Sequence, residues 1–126
     1  MENNRRHILH TKNGYYYGTE KGGVWWKRYW RGGWLARGNS EVWVDTEGLF
    51  FRRYLTKKIM HIPLQDITGT ATGSWHAGKW FGAPVIKITW EKDDMELVSG
   101  FTISWKKEET EKWIAAINDL SKQKKL

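Results

Sequence analysis

"VWVDTEGLFF", residues 42–51, decides how the chain is read. Apolar side chains crowd both sides of "DTEG", where Asp45 can start a turn and Gly48 can take a positive φ. Extended outward, "SEVWV" and "GLFFRRYL" therefore form an antiparallel hairpin. Consecutive Arg52 and Arg53 on its second strand point to opposite faces, so at most one of them looks inward. A third strand, "KKIMHI", stops at Pro63, which has no amide hydrogen to continue a ladder. "ITGTATGSW" is a fourth strand, and "PVIKITWE" and "MELVSGFTIS" flank the charged turn "KDD" as another hairpin.

The last segment changes period. In "KKEETEKWIAAINDLSKQ", Trp113, Ile117 and Leu120 fall on one helical stripe widened by Ile114, and acidic residues occupy the first turn, where the helix dipole favours them. Ser104 caps this helix without a capping box, because Lys107 stands three residues on. The expected fold is mainly β with one C-terminal α-helix: a bent antiparallel sheet, or partly open barrel, capped by the helix.

The chain has 126 residues, within the range of one domain. It lacks cysteine, which excludes disulfides, thiolate metal sites and a cysteine nucleophile. No apolar run approaches the ~20 residues that span a bilayer, and the first residues lack a secretory signal, so the expected location is cytoplasmic. Residues 1–63 carry twelve Lys or Arg against five Asp or Glu, whereas residues 64–126 carry nine of each. Such an imbalance favours an anionic partner through long-range attraction.

The order of elements and three motifs, "VWVDTEGLFF", "IPLQDI" and "EETEKWIAAI", resemble the pleckstrin-homology-like superfold, and within it the GRAM and bacterial PH-like domains. The resemblance covers residues 40–120 and implies a seven-stranded bent sheet whose C-terminal helix sends a tryptophan, here Trp113, into the core. It also implies a non-enzymatic adaptor that binds phosphoinositide headgroups, peptides or proteins. Lipid-binding members gather basic residues around the loop joining their first two strands. That loop reads here as "DTEG", which is acidic. The domain is then expected over residues 34–122, with residues 1–33 an aromatic and basic extension packed on it and residues 123–126 a frayed tail.

Within that extension, "GVWWKRYWRGGW", residues 23–34, holds five aromatic rings and three cations. As a strand it segregates nothing. As a helix it puts the rings on one half of the wheel and Lys27, Arg28 and Arg31 on the other, within two turns bounded by glycine pairs. The rings either pack on the sheet or lie in a membrane interface with the cations on anionic headgroups. Three cations at ~1 kcal/mol each supply about 3 kcal/mol, less than millimolar binding requires. A membrane site would therefore recruit Arg37, Arg52, Arg53, Lys57 or Lys58, or insert a tryptophan.

"GSWHAGK", residues 73–79, fits part of a nucleotide-binding P-loop but continues into Trp80 where Ser or Thr should hold magnesium, and into a strand where a helix should begin. It reads better as an exposed loop in which Trp75 and Trp80 flank His76 and Lys79, able to stack on bases or clamp a peptide unless the rings fold back on the barrel. His7 and His10 sit in a tail without a third ligand and read as solvated. Ser74 and His76 lack an orienting acid, Asp93 and Asp94 face solvent in a turn, and His61 is an ordinary strand histidine.

No catalytic residue, metal site or cofactor is assigned, and the expected function is a non-enzymatic binding module. Ten tryptophans exceed what a small barrel buries, so an exposed aromatic and basic surface is expected to hold a partner. Its candidate residues are Trp26, Lys27, Arg28, Trp30, Arg31, Trp75, His76, Lys79 and Trp80; Trp113, Ile117 and Leu120 are expected in the core. The expected partners, in order, are a protein or peptide, an anionic membrane surface, and single-stranded nucleic acid, with a homo-oligomer also open.

Overall fold

Alternation of apolar residues builds the sheet strand by strand. The computed structural model describes residues 8–21, 24–28, 38–54, 59–76 and 79–124, with backbone alone at 24–28, 74–76 and 79–83. The elements are β1 (Leu9–Lys21), β2 (Val24–Arg28), β3 (Gly38–Asp45), β4 (Gly48–Arg53), β5 (Ile59–Pro63), β6 (Ile67–His76), β7 (Lys79–Lys92), β8 (Met95–Thr102) and α1 (Lys107–Lys124). Seven strands pair in the order β5-β4-β3-β1-β8-β7-β6, every contact antiparallel, and the path does not close into a barrel. The mainly β architecture with one C-terminal helix is thus established.

The β3–β4 hairpin has the register its sequence dictates, from Ser40 opposite Arg53 to Asp45 opposite Gly48. Asp45 Oδ1 accepts the Glu47 amide at 2.7 Å and the Gly48 amide at 3.3 Å, which closes the turn through the side chain. Gly48 is not among the positive-φ residues, so its expected conformational role is corrected. Its absent side chain is needed for space: a Cβ there would lie 2.4 Å from both the His61 ring and the Ile62 carbonyl oxygen. The β7–β8 turn does need positive φ, at Asp93 (53°) and Asp94 (63°) between the paired Lys92 and Met95, the geometry of a type I′ hairpin.

Residues 9–21 lie inside the sheet. β1 bonds to β3 through Leu9–Tyr16 and to β8 through Tyr15–Lys21, so it joins the two halves. Register shifts between Thr11 and Gly14 and between Tyr16 and Gly18 break its alternation, which hides the strand from a period-two reading. Beyond the end of its pairing with β3, the same edge of β1 takes β2, with Glu20 opposite Arg28 and Lys21 opposite Val24. Val24–Arg28 is therefore an extended strand and not the helix expected from the wheel. Local segregation favoured a helix, but backbone pairing with a neighbouring strand outweighs it.

The core holds Val42, Val44, Leu49, Phe51, Met60, Ile62, Ile86, Ile88, Leu97 and Phe101 from the strands, with Trp113 and Ile117 from α1. Leu120 packs against it half-buried. The helix lies on β6, β7 and the 3₁₀ turn Leu64–Asp66 that carries the chain from β5 to β6, and so covers the gap between the two edge strands. Ser121 Oγ donates to the Ile67 carbonyl at 3.3 Å and Thr70 Oγ1 to Asn118 Oδ1 at 2.9 Å, tying helix to edge. Ser104 Oγ accepts the Lys106 amide just ahead of the first turn.

Four side chains thread a polar line through this apolar interior. Trp90 Nε1 donates to Ser99 Oγ at 2.9 Å, the hydroxyls of Ser99 and Thr19 share a hydrogen bond at 2.7 Å, and the Thr19 hydroxyl also meets Tyr16 OH. All four residues are 0–1% exposed, so none can exchange its partner for water. Replacing Ser99 with Ala removes the acceptor of the Trp90 N–H and leaves the Thr19 hydroxyl with Tyr16 alone; the expected loss is about 1–3 kcal/mol, read by urea denaturation. A loss under about 0.5 kcal/mol would show that the line contributes little to stability.

Candidate functional site

Period two gives β3, β4 and β5 an outer face whose rows run across the strands. One row is His10, Trp43, Phe50 and His61, each opposite the next in register. Trp43 stacks on Phe50 with centroids 5.2 Å apart and planes 8° off parallel, and Phe50 on His61 at 4.3 Å and 2°. Phe50 thus has both ring faces covered and is 8% exposed. His61 Nε2 lies 3.1 Å from the Glu47 carbonyl, above the space that Gly48 leaves open.

The adjacent row is Glu41, Arg52 and Ile59. Arg52 Nε donates to Glu41 Oε1 at 3.0 Å and its Nη2 closes on the same oxygen, while His10 Nε2 is 2.5 Å from Oε2. His10 is accordingly held by Glu41, which corrects its reading as a merely solvated tail residue. Burial alone would raise the Glu41 pKa, but hydrogen bonds from Arg52 and His10, helped by their charge, hold it below the usual carboxylate range. A third row begins at half-buried Tyr15, which is packed 5.0 Å from Tyr17. Burial raises the Tyr17 phenol pKa; its bond to Thr102 opposes the shift and Tyr15 adds to it. In the same row the Tyr54 amide bonds the Asn39 carbonyl and its hydroxyl donates to Lys12 O at 2.6 Å.

This face meets solvent through apolar and polar side chains side by side, with His10 and His61 exposed. Ile59 is 53% and Tyr54 41% exposed, beside half-buried Trp43 and Arg52. β5 ends the sheet, and among the described residues no strand pairs with its outer edge. Elsewhere, Trp105 is 73% exposed in the link from β8 to α1. A cavity of about 260 Å³ lies between Thr46, Leu64, Leu120, Gln123 and Lys124. Among the described residues no three His, Asp or Glu side chains gather where a metal could be held, and no helix is long and apolar enough to cross a membrane.

Of the nine candidate residues read from the sequence, seven lie on other strands. Trp26, Lys27 and Arg28 lie on β2, and Trp30 and Arg31 are outside the described residues. Trp75 and His76 end β6 and Lys79 and Trp80 begin β7, with Trp75 opposite Trp80 and His76 opposite Lys79. The sheet does not pair these two groups: β1 and β8 stand between β2 and β7. The placement of β1 also moves the loop that joins the first strands. "DTEG" joins β3 to β4, and the connection from β1 to β3 is residues 22–37, which hold four Lys or Arg and no Asp or Glu.

The sequence matches the family described as bacterial PH domain-like over residues 2–118, a span that includes β1 and all but the end of α1. No curated protein matches the chain.

The Glu41 cluster has a pH signature. Because its pKa is lowered on folding below the usual carboxylate range, the stability it contributes is present above the unfolded value and disappears as pH falls through the folded pKa. Glu41→Gln is expected to cost about 1–2 kcal/mol at neutral pH, with the difference from wild type shrinking below about pH 4. Thermal melts from about pH 3 to 7 test this, and a difference independent of pH would contradict it.

Proposed function

The chain belongs to the bacterial PH domain-like family, and we propose that it is a non-enzymatic binding module whose outer β3–β4–β5 face holds a protein or peptide partner. The observation that carries this reading is the exposure of Ile59 and Tyr54 on the face that also carries the Trp43–Phe50–His61 stack. Apolar side chains fixed at a surface lose little entropy on contact, which favours a partner that covers them. The outer edge of β5 adds main-chain donors and acceptors that an extended segment can pair with, while Ile59 and His61 meet its alternate side chains.

Single-stranded nucleic acid fits this face less well. Bases stack on open ring faces, and Phe50 has none to offer. An anionic membrane remains the second reading on a separate observation, the acid-free basic connection 22–37.

A photo-crosslinking residue at position 59, compared with one at the exposed helix position 112, separates these readings in cells. The protein reading expects a discrete adduct from 59 and little from 112, with mass spectrometry distinguishing a foreign protein from a second copy of this chain. Equal adducts from both positions would count against it. So would sedimentation with anionic vesicles that survives Ile59→Asp, in the absence of any adduct.

A further inference from the structure

The two ends of the sheet are finished differently. α1 lies against β6, where Ser121 Oγ donates to the Ile67 carbonyl, whereas among the described residues no strand pairs with the free edge of β5. β5, Ile59-Met60-His61-Ile62-Pro63, carries no Lys, Arg, Asp or Glu of the kind that commonly keeps an edge from pairing.

The register shows which main-chain groups that edge offers. Asp45 and Gly48 close a two-residue turn and exchange main-chain bonds, so alternation along the hairpin makes Trp43 and Phe50 a bonded pair as well. Phe50 therefore turns its N–H and C=O towards β3. Phe50 and His61 form a non-bonded pair, in which side chains come closer, and the ring centroids agree: 4.3 Å for Phe50–His61 against 5.2 Å for Trp43–Phe50. Ile59, His61 and Pro63 consequently direct their main-chain groups away from the sheet. Pro63, which has no N–H, sits where β4 needs none.

These groups fit their own two-fold image. An antiparallel copy centred on His61 sets it opposite the partner's His61, and sets Ile59 opposite the partner's Pro63. Every outward N–H then meets a carbonyl, His61 to His61 and Ile59 to Pro63. Side chains match in the same register: Ile59, 53% exposed, covers a half-buried proline, and the exposed His61 ring, stacked on Phe50, meets its own counterpart. Lys57 and Lys58 precede β5 in sequence and Asp66 follows it, so an antiparallel copy brings the basic start of one strand towards the acidic end of the other.

We propose that β5 is the contact through which two copies of this chain form a two-fold dimer, their sheets joined edge to edge across His61. The inference rests on the reading of the β3–β4–β5 face as a docking surface and names its occupant as a second copy. An isologous contact of this kind closes on itself. A five-residue edge is a small interface, so the dimer is reversible, with a dissociation constant of roughly 1 μM to 1 mM.

The chain lacks cysteine, so single-cysteine variants report the contact without background. Opposed residues of a bonded antiparallel pair have Cα atoms ~5.5 Å apart, within disulfide reach. His61→Cys is expected to oxidise to a covalent dimer much faster than Lys112→Cys on α1. A mixture of Ile59→Cys and Pro63→Cys chains should link to each other faster than either links to itself. Ile59→Pro removes one outward N–H per copy that β4 does not use. By sedimentation it should dimerise roughly 10–100-fold more weakly than wild type, while its melt in dilute solution stays close to the wild-type value. Wild type that sediments as a monomer up to about 1 mM, an Ile59→Pro variant that dimerises as tightly, or His61→Cys that links no faster than Lys112→Cys overturns the dimer. In that event a foreign adduct from position 59 leaves the docking face standing, and the absence of any adduct removes both.

Discussion

Backbone pairing through β1 is the constraint on which the rest of the structure depends. Among the described strands it alone bonds to three others, β2, β3 and β8, and without it β5-β4-β3 and β8-β7-β6 would be two separate three-stranded sheets. Its bulges let one strand serve both halves by bending where its partners change. The inward side of β1 then carries Tyr16 and Thr19 to Ser99 and Trp90, so the join is fixed by directional bonds as well as by apolar contact. Such a line penalises a slipped register, because a shift of one residue would turn Thr19 out of the core and leave buried donors unmet.

From that join the working surfaces follow. β3, β4 and β5 extend one half outward, and their solvent side accumulates rings because each occupies the same row position in register. The stack constrains itself. His61 can lie flat on Phe50 because Gly48 leaves the room, and the Gly48 position is fixed by the Asp45 turn. At the far end of the same strands, the alternation that places Phe51 in the core also drives Arg53 inward. One geometric rule thus gives the molecule a ring-lined outer face and a buried cation.

The parts legible in the sequence were those where local period and turn chemistry agree. The β3–β4 and β7–β8 hairpins, the stop of β5 at Pro63 and the helix stripe with Trp113 all belong to that class. β1 was illegible because its two register shifts scramble alternation, and "GYYYGTEK" sends Tyr16 inward while Tyr15 and Tyr17 pack with tilted rings outside the core cluster. β2 misled because amphipathicity on a wheel is a local signal and its pairing with β1 is not. The outer-face cluster depends on contacts across 31 positions for His10 and Glu41, which no motif records. Its one available clue was register: once the β3–β4 hairpin is accepted, Trp43 falls opposite Phe50 and Glu41 opposite Arg52.

Amide hydrogen exchange tests the central role of β1 most directly. If β1 joins the halves, amides of residues 15–20 should exchange only with global unfolding, at the same free energy as those of β8. Exchange of β1 by a separate, lower-energy opening, while β7 and β8 stay protected, would mean that the sheet holds together without it and would contradict this account.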